Sequence, residues 1–382
     1  MRGLAVTAVI VVHACKPKGA GSGLIGPIAG AGWVGVTLFF VLSGFLITGI
    51  LLDTKGRSGY FANFYARRSL RIFPLYYIFL FAYFFILPAA GADLPQIANT
   101  GERISFWLYL TNMREALFGP TSPCEPLDPL WSLAVEEQVY LVWPLLILVF
   151  SKKGLGRIFL GLAIFSLLWR GATRAAALPV AWSYGWSPAC LDGFAVGGLV
   201  AVSMRVNEWR PLLIRWAAPT ATGAGLFVFG MAVAQRHFAF GLNLIPILTI
   251  GMTALSIGFA SMIGWLVTTP PTKLHRILGS SWLSLPGKFS YAMYIFHATV
   301  IVLLLPKFGV VFDQNGKWAM PTLNAIGFAI VVWVVTFGIA IASWYSYEMW
   351  FLKLKRFFPT ERRAIGEEFL KVKTGILTDA RE

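Results

Sequence analysis

The sequence predicts an all-α, polytopic membrane protein of about ten transmembrane helices, with both termini cytoplasmic. Three observations carry that class. Hydrophobic residues fill 57% of the 382 positions and charged residues only 13%, against about 25% charged in an ordinary soluble chain. Apolar runs recur along the whole length and leave no soluble domain of useful size. The Lys and Arg residues also fall on one side once those runs are taken as alternating spans.

A span needs about 20 mostly apolar residues, and ten runs meet or approach that length. The first, 1–14 (MRGLAVTAVIVVHA), has the outline of a signal peptide, but it lacks a small-x-small cleavage site and His13 interrupts its apolar run. The others lie at 33–52, 72–88, 130–150, 158–170, 186–204, 216–234, 243–267, 289–306 and 322–348, the first and fifth of the ten being short. With the N-terminus inside, the inner segments carry Arg2, five basic residues in 53–71, three each in 151–157, 205–215 and 268–288, and eight from Lys353 to Arg381. That side holds 23 of the 32 Lys and Arg. The net charge of +15 is therefore a topology signal, and no nucleic-acid partner is needed to explain it.

The segment 104–113 (ISFWLYLTNM) is apolar but half a span long, and predicts a re-entrant or interfacial helix. An eleventh span at 104–120 would reverse the sidedness of every later loop. Residues 1–352 thus read as one transmembrane domain and 353–382 as a short charged cytoplasmic tail. The Gly-rich 15–31 and the Pro-rich 114–128 are outer loops, the likeliest irregular segments beside a site. Three cysteines (Cys15, Cys124, Cys190) are too few and too scattered for a disulfide framework or a zinc site, and no metal is expected. A single Cys15–Cys124 bridge on the outer side is the one pairing left open.

Ionisable residues inside spans are the site candidates, because a charge at the bilayer centre costs at least ~2.5–3.5 kcal/mol. Arg2 and His13 lie eleven residues apart, so they share one helix face about 16 Å apart along the axis. A topology-setting Arg with an incidental His is the bland alternative. In FYARRSLRIFPLYY, Arg67, Arg68 and Arg71 stand at the inner mouth of the third span, with Arg68 and Arg71 as i,i+3 neighbours at what reads as a helix N-terminus. Guanidinium forks suit phosphate oxygens, although a lipid-headgroup anchor has the same look.

Glu136 and Glu137 enter the fourth span about 10 Å below its outer end and point about 100° apart. One of them is expected to serve a His or Arg, and the other to make a structural contact. His297 falls near mid-membrane on the ninth span. Asp192, among the small residues of CLDGFAVGGLVA, reads more readily as a buried hydrogen-bonding partner than as a reacting group. Glu348 comes near the inner end of the last span and is read as pairing with a basic neighbour. His237 and His275 fall in loops and carry no signal.

Six stretches, RGLAVTAVIVVH, WVGVTLFFVLSGFLIT, FYARRSLRIFPLYY, PLWSLAVEEQVYLVWPLL, GKFSYAMYIFH and SYEMWFLKLKR, occur in this order over nearly the whole chain. Together they resemble the membrane-bound acyltransferase family 3, whose members move acyl groups onto extracytoplasmic or lipid-linked carbohydrates and related acceptors. The resemblance implies acyl-CoA, most commonly acetyl-CoA, as a cytoplasmic donor. It implies a carbohydrate, glycolipid or small-molecule hydroxyl as acceptor, and a bacterial inner membrane as the location. Arg2 and His13 match the family's Arg-to-His motif, Arg68 and Arg71 its paired arginines, and Glu136 and Glu137 its Trp-Ser-Leu…Glu-Glu motif, which brings in Trp131 and Ser132 as supporting residues. Many relatives have Arg two positions before the aspartate where this chain has Cys190, which puts a basic contact there in doubt. The chain also ends soon after the tenth span, without the extracytoplasmic hydrolase-like domain that some relatives append. Transfer is then expected from the membrane domain alone or with a separate extracytoplasmic partner protein.

The expected mechanism puts the CoA phosphates on Arg68, Arg71 and Arg2 and the thioester near His13. His13 acts as general base on an acceptor hydroxyl, and Glu136 or Glu137 orients its imidazole. An acyl-enzyme route through His13 stays open. The competing class is a proton-coupled transporter using the same His, Glu and Asp residues. It predicts internal pseudo-repeats with broken helices, and neither these nor any repeat of 20–50 residues is visible.

Overall fold

The computed structural model describes residues 1–17, 25–92, 94–119, 126–234, 245–308, 310–312 and 318–359. Cys124, His237 and the tail from 360 onward lie outside the described residues. The helices that position the site are α1 (Arg2–Ala14), α2 (Val34–Thr54), α3 (Tyr60–Phe81), the short pair α4 (Thr100–Trp107) and α5 (Thr111–Phe118), then α6 (Leu130–Val149), α7 (Lys152–Ala175), α8 (Ser187–Ser203), α9 (Arg210–Ala234), α10 (Met252–Thr268), α11 (Ser290–Leu304) and α12 (Thr322–Ser343). Among the described residues, nine helices are long and apolar enough to cross a membrane, and α1 is a shorter apolar helix beside them. The protein is a polytopic helical membrane protein, as composition predicts.

The third and fifth spans differ most from the sequence reading. The third begins at Tyr60, not near residue 72, and runs on from α3 through a π-helical turn at Ala82–Ile86 to Ala89. Gly59, with a left-handed φ of 72°, turns the chain into it, and only glycine adopts that conformation at little cost. Arg67, Arg68 and Arg71 therefore sit two to three turns inside the helix. The helix-N-terminus contribution to anion binding expected for them is absent. The fifth span is longer than 158–170, because its charged ends, from Lys152 to Arg174, are helical too.

The segment between α3 and α6 does not cross. α4 and α5 have eight residues each and meet at Tyr109, whose φ of 55° breaks the helix. An ion pair between Glu102 and Arg114 (2.5 Å) ties them together. A two-residue antiparallel pair, Val311–Phe312 with Trp318–Ala319, is the one sheet among the described residues.

Lipid offers no hydrophobic drive between helices, so spans associate through close packing of small residues. α2 and α8 do this: a Cβ at Gly44 would lie 2.1 Å from the Phe194 carbonyl oxygen, and one at Gly197 would lie 2.1 Å from that of Val41. Both obstacles are backbone and cannot rotate away. Gly197→Ala is expected to push α2 and α8 apart and cost about 1–3 kcal/mol, read as a lower melting temperature of the purified protein in detergent. An unchanged melt would show that the helices separate without penalty. At one end of the same pair, Arg205 grips Asp53 with two bonds of 2.8 Å, Nε to Oδ1 and Nη2 to Oδ2. α1 is packed as tightly, since a Cβ at Gly35 of α2 would lie 2.4 Å from the Ala5 carbonyl oxygen. Its Val6, Val9 and Ile10 are fully buried, which places its polar residues inside the bundle.

Candidate active site

Arg2 from α1 and Arg68 and Arg71 from α3 line one cavity of about 70 Å³, together with Ser43 of α2, Glu136 of α6 and Tyr294 of α11. That volume has room for several water molecules. Among the described residues, no carboxylate lies within ion-pair distance of any of the three guanidinium groups. Arg68 instead lies over the Tyr140 ring, 5.2 Å from its centroid. Three arginines against one glutamate leave the wall positively charged, at a place where an unneutralised charge is expensive. Such a lining suits an anion. Arg67, which the sequence groups with the other two, has a different job. Its Nη1 donates to the carbonyls of Lys355 (3.1 Å) and Phe358 (2.9 Å) and ties the last span's end to α3.

Glu136 and Glu137 point to different surroundings, as their 100° separation requires. Glu136 faces the cavity and accepts hydrogen bonds from Ser43 Oγ (2.5 Å) and from the Tyr140 hydroxyl. Glu137 turns away, and its buried Oε1 has no hydrogen-bond partner among the described residues. Ser132 lines the cavity, and its Oγ is 2.5 Å from the Tyr294 hydroxyl. Trp131 packs on Tyr184 at 4.9 Å between ring centroids, away from the arginines.

His13 stands at the last turn of α1. Its Nδ1 is 2.9 Å from the Val9 carbonyl oxygen and 3.1 Å from Nε2 of His297. Nδ1 of His297 is in turn 2.6 Å from the Tyr294 carbonyl oxygen. Neither Glu136 nor Glu137 hydrogen-bonds to His13, so the structure does not bring together the carboxylate–histidine pair that the sequence predicts. The partner is a second histidine 284 residues further on. A carboxylate reaching from α6 would have to leave Ser43 and Tyr140 to do so. Cys15, two residues from His13, is buried, and that burial pushes its thiol above the ordinary range.

Asp192 belongs to another cluster. Arg170 of α7, fully buried, donates from Nη2 to Asp192 Oδ2 at 2.7 Å and also bonds Thr253 Oγ1 and the Ala189 carbonyl. Thr253 donates to the same Asp192 oxygen at 3.0 Å. The basic contact left in doubt by Cys190 is thus supplied from the neighbouring helix. Sequence reasoning missed Arg170, although it was open to view as an arginine within an apolar run. Glu348 accepts from Ser343 Oγ at 2.5 Å, with no ion-paired basic neighbour among the described residues. His275 caps its own short helix through Thr272, a structural task.

The chain spans about half the length of the curated relatives it matches. It is 30% identical over 330 residues to the peptidoglycan O-acetyltransferase OatA of Listeria monocytogenes, which covers 80% of this chain and 49% of that protein. Over 300 residues it is 30% identical to the putative peptidoglycan O-acetyltransferase YrhL of Bacillus subtilis, covering 73% and 45% respectively. A putative O-acetyltransferase of Staphylococcus aureus is 25% identical over 322 residues, covering 79% and 50%. No solved structure matches the chain. A family model described as an acyltransferase domain matches residues 1–345, and with nine-tenths of the chain inside that match the protein belongs to the membrane-bound acyltransferase family 3.

Proposed function

We propose that the protein is an integral membrane O-acyltransferase that moves an acetyl group from cytoplasmic acetyl-CoA to a hydroxyl of a cell-envelope carbohydrate. The observation that carries this reading is the cavity shared by Arg2, Arg68 and Arg71, with no carboxylate ion-paired to them among the described residues. Guanidinium groups fork onto phosphate oxygens, and a CoA thioester presents several. α1 links this anion site to the reacting end, because the helix that starts at Arg2 carries His13 in its last turn. The names of the relatives support the acetyl group and the glycan acceptor, and the family resemblance, with the arginine cavity, supports the CoA donor.

In the reaction, His13 takes the proton from the acceptor hydroxyl as its oxygen bonds to the acyl carbon. The carbon–sulfur bond breaks, and the CoA thiolate takes the proton back to leave as thiol. Proton transfer of this kind is typically worth about 10²–10⁴-fold in rate. Glu136 offsets one of the cavity's three positive charges and holds Tyr140 beside Arg68.

Inside-out vesicles containing the protein and acetyl-labelled acetyl-CoA provide the test. Label is expected in a glycan fraction only when the protein is present. If longer acyl-CoAs and added envelope extracts also leave every fraction unlabelled, the proton-coupled transport reading replaces this one. Arg71→Ala is expected to raise the Michaelis constant for acetyl-CoA by about tenfold or more, the loss of roughly 1.4 kcal/mol of charge-assisted bonding, with protein levels near wild type. Unchanged donor dependence would assign the arginines to lipid anchoring.

A further inference from the structure

We infer that His297 is a positioning residue that fixes the tautomer of His13 and leaves His13 Nε2 as the proton-accepting atom. The inference rests on the proposed role of His13 as base and assigns how that base is prepared.

The hydrogen bonds around the two rings have one consistent solution. A carbonyl oxygen only accepts, so the 2.9 Å contact of His13 Nδ1 with the Val9 carbonyl requires a proton on that nitrogen. The 2.6 Å contact of His297 Nδ1 with the Tyr294 carbonyl requires one there as well. A neutral imidazole carries a single N–H, so both Nε2 atoms are bare. The remaining contact, 3.1 Å between His297 Nε2 and His13 Nδ1, is then the second arm of a three-centre bond, with the one His13 N–H shared between the Val9 oxygen and the lone pair of His297. The opposite tautomer of His13 would set a bare Nδ1 against the Val9 oxygen and the His297 lone pair at once, two repulsions in one place.

The two rings are not equivalent. His297 is fully buried and His13 only partly so, so the exposed edge of the pair belongs to His13. No hydrogen bond among the described residues occupies His13 Nε2. The Val9 oxygen also accepts the backbone N–H of the helix, four residues on, which leaves His297 as the acceptor dedicated to the ring. The ring centroids are 5.0 Å apart and the planes tilted by 42°, so the rings are not stacked. His297 is held in turn through Tyr294, whose hydroxyl donates to the Pro129 carbonyl at 3.0 Å and whose side chain lines the arginine cavity. An ordinary histidine in water favours the proton on Nε2, the wrong place for a base that must accept there. Which nitrogen is bare is set by the bond the other one makes.

The experiment compares His297→Phe, His297→Gln and His13→Ala in the labelled acetyl-transfer assay. It also records ring-¹⁵N spectra of histidine-labelled protein, with His13 assigned by its loss in His13→Ala. In the wild type, His13 is expected to show a protonated Nδ1 and a bare Nε2. His297→Phe keeps a ring but removes the acceptor, so kcat is expected to fall by roughly 10- to 10³-fold, within the size of the base contribution, with the donor Michaelis constant nearly unchanged. His297→Gln restores an acceptor oxygen and is expected to recover most of the loss. Wild-type kcat in His297→Phe beside an inactive His13→Ala overturns the positioning role and leaves the base intact. Activity in His13→Ala overturns the base itself. Should the His297 variants fail to accumulate, the wild-type spectrum still decides, because a proton on His13 Nε2 contradicts the inference.

Discussion

Acetyl transfer by His13→Ala is expected to fall at least about 100-fold, while the protein accumulates and melts close to wild type. The kinetic half of this expectation follows from the base itself, since positioned proton transfer contributes about 10²–10⁴-fold. The stability half follows from the site's position. His13 ends α1 and is only partly buried, so truncation removes little packing. The main loss is one hydrogen bond to His297, a net effect of about 1 kcal/mol. The measurement is turnover per folded molecule, with the folded amount taken from size-exclusion chromatography in detergent. Normal turnover in the variant would remove the general-base assignment.

Arg170→Met is expected to have the opposite profile: a large loss of stability and little loss of activity per folded molecule. The guanidinium is fully buried and bonds Asp192, Thr253 and the Ala189 carbonyl. Removing it strands the Asp192 carboxylate inside the bundle, and breaking a buried pair from one side costs about 3–5 kcal/mol. The double variant Arg170→Met/Asp192→Leu is expected to regain much of that, because no unpaired charge remains. Melting temperatures of the wild type, the two single variants and the double form the cycle. A mild single variant would show that water or another group already serves Asp192, and the cluster would lose its structural role.

How legible the molecule was from its residues depends on how far apart the partners lie. Single helices read well: the run 130–150 is α6, Leu130–Val149, and the run 1–14 is α1, Arg2–Ala14. The third span was misplaced at its start because Arg67, Arg68 and Arg71 make its first half look aqueous, although that half is helical and its arginines line a cavity or grip the chain end. Grouping Arg2 with Arg68 and Arg71 was within reach of charge and sidedness. The His13–His297 contact was not, since each histidine shows only its own depth, and nothing local to either shows that α1 packs on α11. The same holds for Arg170 and Asp192. Periodicity gives which face a residue occupies, and packing between helices decides what that face meets.

The depth of His13 along α1 has a consequence for the acceptor. The eleven steps from Arg2 to His13 in α1 rise about 16 Å, roughly half of a hydrocarbon core of about 30 Å. With Arg2 at the cytoplasmic boundary, as the proposed function has it, His13 in the last turn of α1 lies near mid-membrane rather than at the opposite surface. On the proposed function, a glycan then need not be carried through the bilayer to react. One acceptor hydroxyl has only to be lowered to the depth of His13, so the reach of that hydroxyl into the membrane is expected to sort the acceptors.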